Sequence, residues 1–169
     1  MAFTVVNTDT VTSSVAEVDL TGISDNSIYF YTFANCQQVN DNTNVSMRLL
    51  DSGGSVITTT DYNMVGTSLC SDTTHRNLNG AGNDEAMLLE AGGNNSFETS
   101  NGNGYIFNAY KEDEYTHVSF ENAHTNTATN LRGLQGGFIY ENVQRVTGIR
   151  FLINSGNIDG GTFTLYKVG

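Results

Sequence analysis

Proline and tryptophan are both absent from this 169-residue chain, and lysine occurs only at Lys111 and Lys167. Without proline there is no stiff linker that would announce a second domain. Without tryptophan the strongest stacking platform for a sugar ring is missing. Seven Lys and Arg stand against 18 Asp and Glu, for a formal charge of −11. That balance argues against DNA or RNA binding by phosphate neutralisation and equally against an anionic membrane surface. No apolar run approaches the ~18 residues of a membrane span. The opening MAFTVVNTD has neither a basic n-region nor an apolar h-region, so no secretory signal is expected and the chain reads as made in a cytosol. Cys36 and Cys70 fall in no CxxC or metal spacing, and two reduced thiols are the expectation, although pairing cannot be deduced from sequence.

Asn, Thr and Gly are plentiful: 21, 21 and 18 residues. Threonine is β-branched and suits a pleated surface. Asparagine and glycine tolerate positive φ and build tight turns. Together they predict many short strands joined by turns. Disorder is excluded, because 38% of the residues are apolar or aromatic and apolar runs recur along the whole chain. Charged residues are only 15%, so the polar surface must be mostly neutral Thr, Asn and Ser. Such a surface packs against another protein without stripping water from ions.

The chain divides into an N-terminal strand or arm, residues 1–20, and one domain, residues 21–169. Residues 3–11 form the arm or first strand, and Val15, Val18 and Leu20 a second short segment. Residues 27–34 are the strongest strand. Ile28, Phe30 and Thr32 take one face and Tyr29, Tyr31 and Phe33 the other. Apolar residues on both faces predict a central position. Residues 44–50 and 55–60, joined by a Gly-containing link, predict a hairpin. Residues 71–84 and 92–104, dense in Asn and Gly, read as long links, the first of them a surface loop and a contact candidate. Residues 85–90 are ambiguous between a strand and one helical turn. Residues 105–110 and 115–121 predict a second hairpin around a charged turn. Residues 131–140 read as a strand with a bulge at Gly136-Gly137. In 144–154 the core candidates are Val146, Ile149, Phe151 and Ile153, and in 161–168 they are Phe163 and Leu165. With no βαβ alternation and no fixed repeat, these segments predict an all-β fold, an antiparallel β-sandwich of jelly-roll type with about eight to ten strands and long Asn/Gly-rich loops.

Chemical signatures are sparse. His75, His117 and His124 form no HExxH and read as separate surface histidines. Residues 79–85 lack the register of a calcium loop. No GxSxG or phosphate loop occurs, and among 18 acids some carboxylate pair is inevitable and carries no weight. No catalytic residue, metal ligand or cofactor is therefore expected.

The stretch TGIRFLINSGNIDGGTFTLYKV, residues 147–168, resembles the closing motif of β-rich tailed-phage structural proteins. In them a strand leads through S-G-x-x-x-x-G to a last strand G-T-F-x-L-Y. The aromatic strand at 29–33 and the glycine link at 51–54 resemble earlier elements of the same proteins. Lys167 stands where the family often has Gly. The resemblance implies a virion part without enzymatic activity: a capsid decoration (cement) protein that bridges subunits of the major capsid protein, commonly as a homotrimer. Under it, Phe3, Val5, Val6 and Thr8 of the N-terminal segment and His75, Arg76, Asn77 and Asn79 of the 71–84 segment are the contact candidates. A tail or fibre tip that recognises a host glycan is the alternative, and a small polysaccharide hydrolase a distant third.

Overall fold

The computed structural model describes residues 2–72 and 74–169. Among them the chain forms twelve β-strands and no helix. In chain order these are β1 (Phe3–Val11), β2 (Glu17–Thr21), β3 (Tyr29–Gln38), β4 (Thr43–Leu50), β5 (Tyr62–Cys70) and β6 (His75–Asn83). There follow β7 (Ala86–Gly92), β8 (Ser100–Phe107), β9 (Thr116–Thr125), β10 (Leu131–Tyr140), β11 (Gly148–Ile153) and β12 (Ile158–Val168). Eight of them make one sheet, in the order β1-β12-β3-β8-β9-β10-β5-β6, and four make a second, β2-β11-β4-β7. Every paired neighbour is antiparallel. The result is the all-β sandwich expected from the sequence.

The core lies between the sheets and is built by alternation. In β3, Tyr29, Tyr31 and Phe33 point inward and are buried, and in β12 Phe163 and Leu165 do the same. Phe151 of β11 meets the Tyr31, Phe33 and Phe163 rings at centroid distances of 5.7, 5.8 and 5.0 Å. Val146, Ile149 and Ile153 are buried with them, as their spacing predicts. Tyr62 fastens the other end. Its hydroxyl accepts from the Leu49 N–H at 2.9 Å and donates to the Ile57 carbonyl at 3.2 Å.

Several segments depart from the sequence reading. Residues 71–84 are not a long loop: β6 pairs with β5 along His75–Asn83, and Asp72 Oδ1 helps close the turn by accepting from the Thr74 N–H at 2.9 Å. Asn and Gly are tolerated there because β6 is an edge strand, with one side of its ladder open. Residues 92–104 are not all link either, since β8 begins at Ser100. Its glycines make room rather than turns: a Cβ on Gly102 would lie 2.4 Å from Phe33 Cζ, and one on Gly104 1.9 Å from the Ser119 carbonyl oxygen. The hairpin expected over 44–60 has only its first arm. After β4 the chain makes one bridge, Leu50 to Val56, and then crosses to the large sheet. No bulge interrupts β10, whose register to β5 and β9 is unbroken through Gly136 and Gly137. Residues 86–92 form a strand rather than a helical turn. Cys36 and Cys70 are free. They lie on β3 and β5, four strand spacings apart, roughly 19 Å against the ~7 Å limit for a disulfide.

Candidate binding surface

Four strands cannot cover eight, and only one face of the large sheet meets the small one. Alternation then fixes what the other face presents. Residues directly opposite across a ladder share a face, so the ladder pairings trace rows over the whole sheet. One row is polar: Thr8, Thr164, Thr32, Asn103, Glu121, Gln135, Thr67 and Asn77 follow one another across all eight strands. The adjacent row is apolar at its start, with Val5, Tyr166, Phe30 and Tyr105 side by side on β1, β12, β3 and β8. It is interrupted by Ser119 on β9 and Gly137 on β10 before Val65 on β5. A further row carries Phe107, His117 and Ile139.

The rings on this face touch one another. Phe3 lies 5.0 Å from Phe30 and 6.0 Å from Tyr166, Phe30 lies 4.8 Å from Tyr105, and Tyr105 lies 6.2 Å from Phe107. Their mutual packing leaves them half-buried, while Phe3, Val5 and Val65 remain 45%, 59% and 66% exposed. Beside the aromatic strip runs an open apolar groove of about 600 Å³, lined by Val65, Phe107, Ile139 and Gly80 among others and rimmed by His117 and Asn79. Gly137 forms part of its floor, where a Cβ would approach the Val118 carbonyl oxygen to 2.9 Å. A second open groove, of about 440 Å³, combines Phe30 with Asn101, Asn103 and Glu121.

Apart from Glu121, charge lies elsewhere. All seven Lys and Arg side chains are engaged in ion pairs: Arg48, Arg76, Lys111, Arg132, Arg145, Arg150 and Lys167 each contact a carboxylate. On the outside of the small sheet, Arg150 grips Asp19 with two bonds of 2.7 Å, which raises the guanidinium pKa. Lys167 pairs with Asp25 and holds its carboxyl well below the ordinary carboxylate range. No cation is left to form a basic patch.

The polar cluster in the interior is sealed. Arg132 bonds Glu90 at 2.8 Å, with both side chains nearly fully buried, and Arg76 reaches the same carboxylate at 3.6 Å from outside. His124 is not a surface histidine. It is 2% exposed, and its Nε2 lies 2.8 Å from the Glu90 carbonyl oxygen. Burial, assisted by the Arg132 charge, pushes its pKa down to about 4. Burial likewise raises the Cys36 thiol to about 12, which leaves it inert. Among the described residues there is no group of three or more His, Cys, Asp or Glu placed to hold a metal ion.

The contact candidates fall into two sets that the fold separates. Phe3, Val5, Val6 and Thr8 lie on β1 and His75, Arg76, Asn77 and Asn79 on β6, the two opposite edges of the large sheet. Seven strand spacings lie between them, roughly 34 Å. Val6 turns inward toward Gly22, whose Cβ would sit 2.6 Å from its Cγ1. The other seven flank the outer face or the open edges. Sequence reasoning missed the middle of that face: Phe30, Tyr105, Phe107, Ile139 and Val65. Their signal was present as strands apolar in both alternation phases, but that pattern does not say what covers the second face. No protein-family model, curated protein or solved structure matches this chain.

Proposed function

We propose that this protein is a non-enzymatic assembly subunit, a phage decoration protein that binds the major capsid protein through the outer face of its large sheet. One observation carries the reading: a strip of packed aromatic side chains, extended by an apolar groove, lies on a sheet face that no other described residue covers. Soluble monomers rarely leave such strips open unless a partner uses them. The available face is about 38 Å wide and 26 Å long, roughly 1,000 Å², which meets the ~800 Å² each partner contributes to a standard interface. Its rim is Thr, Asn and Gln, which form hydrogen bonds at modest desolvation cost. The acidic remainder of the surface keeps the subunit soluble before it docks.

The virion setting and the capsid partner rest on the resemblance of residues 147–168 to tailed-phage structural proteins. The jelly-roll winding is part of the same reading, supported by the small-sheet order β2-β11-β4-β7. Decoration would stabilise a shell cohesively, by adding buried area between neighbouring capsid subunits.

A second reading has its own observation. Asn103 and Glu121 lie 3.4 Å apart beside the Phe30 and Tyr105 rings. Amide and carboxylate groups next to an aromatic face suit a sugar, as a host-binding tail tip would need.

The test is to mix the chain with shells assembled from the cognate capsid protein and image them, alongside Val65→Asp and Ile139→Asp variants. Regular added density with wild type and bare shells with both variants is the expected result. Bare shells with wild type would overturn the capsid reading. Binding of host polysaccharide by the same wild-type protein would then favour the tail tip.

A further inference from the structure

The two open edges of the large sheet are made to meet each other. β1 and β6 are both nine residues long. The sheet has eight strands, all antiparallel to their neighbours, so β1 and β6 run in opposite directions. A second copy placed alongside with the same face outward therefore offers its β1 antiparallel to β6 of the first.

Backbone phase agrees. Ala2 and Gly169 exchange both hydrogen bonds, at 2.8 and 3.0 Å, so by alternation the Phe3 and Val5 N–H groups point away from β12. At the other edge the Cys70 N–H donates to the Thr74 carbonyl at 3.1 Å, which by the same alternation leaves the N–H groups of Asn77 and Asn79 pointing away from β5. In both strands these residues carry their side chains on the outer face, so the pleat continues without a slip.

Charge agrees too. β1 holds one acid, Asp9, and no base, while β6 holds Arg76 and His75 and no acid. With Val5 opposite Asn79, and with the one-residue bulge between Val5 and Asn7 counted, Asp9 falls opposite Arg76, whose long 3.6 Å contact with Glu90 leaves its side chain 54% exposed to a second carboxylate. β1 is irregular between Val5 and Asn7 and β6 between Gly80 and Asn83, beyond the 75–79 stretch, and neither strand carries the proline or lysine that commonly guards an edge.

We infer that copies of this chain join head to tail, β1 of one pairing antiparallel with β6 of the next, so that their outer faces merge into one surface. This deepens the assembly reading and rests on it, since it names the first partner as a second copy. A heterologous contact of this kind closes into a ring, such as a trimer, or continues as a filament.

The test uses the full chain in two edge-blocked forms, Val5→Pro and Asn77→Pro, each removing an N–H that points off the sheet. Mass is measured by light scattering over a concentration series, with circular dichroism to verify that each variant keeps its strands. Wild type should form a ring or chain, each variant alone should be a monomer of 18.3 kDa, and an equimolar mixture should form a one-to-one dimer through the two intact edges. Val5→Lys and Asn77→Lys replace either proline variant that fails to fold. A monomeric wild type would overturn the inference, as would a blocked variant that still dimerises with itself. Shell binding is scored separately: monomeric variants that still decorate shells leave the proposed function standing, and assembled wild type that ignores shells removes it.

Discussion

His124 and its neighbours show how a few residues set the chain's response to acid. The imidazole is buried neutral, with a pKa of about 4 against an ordinary value of 6.5. Between those values the unfolded chain binds a proton that the folded one refuses. The contribution of neutral His124 is thus complete above pH 6.5 and is lost as pH falls toward 4, by about 3 kcal/mol at 1.36 kcal/mol per unit. Urea unfolding at pH 7 and at pH 4.5 should show that loss, and His124→Gln should flatten it; equal pH slopes in the two proteins would contradict it. Arg132 is the second such residue. Removing it strands the Glu90 carboxylate in the interior with only the longer Arg76 contact. Arg132→Met should cost about 3–5 kcal/mol, and adding Glu90→Leu should recover most of it, because a buried pair is expensive to break but cheap to replace. A double variant no better than the single would show that the cluster matters for its shape and not its charge.

Elements record where the sequence was legible. β3, β11 and β12 were readable because their inward residues are large, apolar and spaced by two. The hairpin of β8 and β9 was readable for the same reason at its Tyr105–Phe107 end. The other end of β8 was not. Gly102 and Gly104 look like turn formers, yet they sit opposite Phe33 and Tyr31, where any side chain would collide with the rings or with the next strand. Composition cannot separate a glycine that bends a chain from one that makes room beside it. Gly104→Ala should therefore destabilise by about 3 kcal/mol, at the upper end of overpacking costs. A substitution there with no change in urea midpoint would mean β8 is not packed as described. β6 was hidden for a different reason. An edge strand has one open side and little to bury, so Asn and Gly occupy it freely and the apolar alternation that marks a strand disappears. The contact candidates chosen from β1 and β6 were thus located without their shared property, which is that both are edges.

At the scale of the molecule the two sheets present opposite characters. The small sheet faces outward with ion pairs, Arg150 with Glu17 and Asp19 and Arg48 with Asp84. The large sheet faces outward with rings and aliphatic side chains over a polar row whose one charge is Glu121. A protein with one wet face and one apolar face has a direction, as a subunit lying on a surface requires. The sequence foretold the sandwich but not this asymmetry, because a strand apolar on both sides looks central whether its second cover is its own chain or another molecule. The most direct measurement is solvent footprinting of the aromatic side chains, in the free protein and on decorated shells. Phe3, Tyr105, Phe107 and Tyr166 should lose reactivity on binding, while Tyr110, stacked under Arg145 beyond the end of β8, should not. Unchanged reactivity across the large-sheet face in a bound particle would contradict the account.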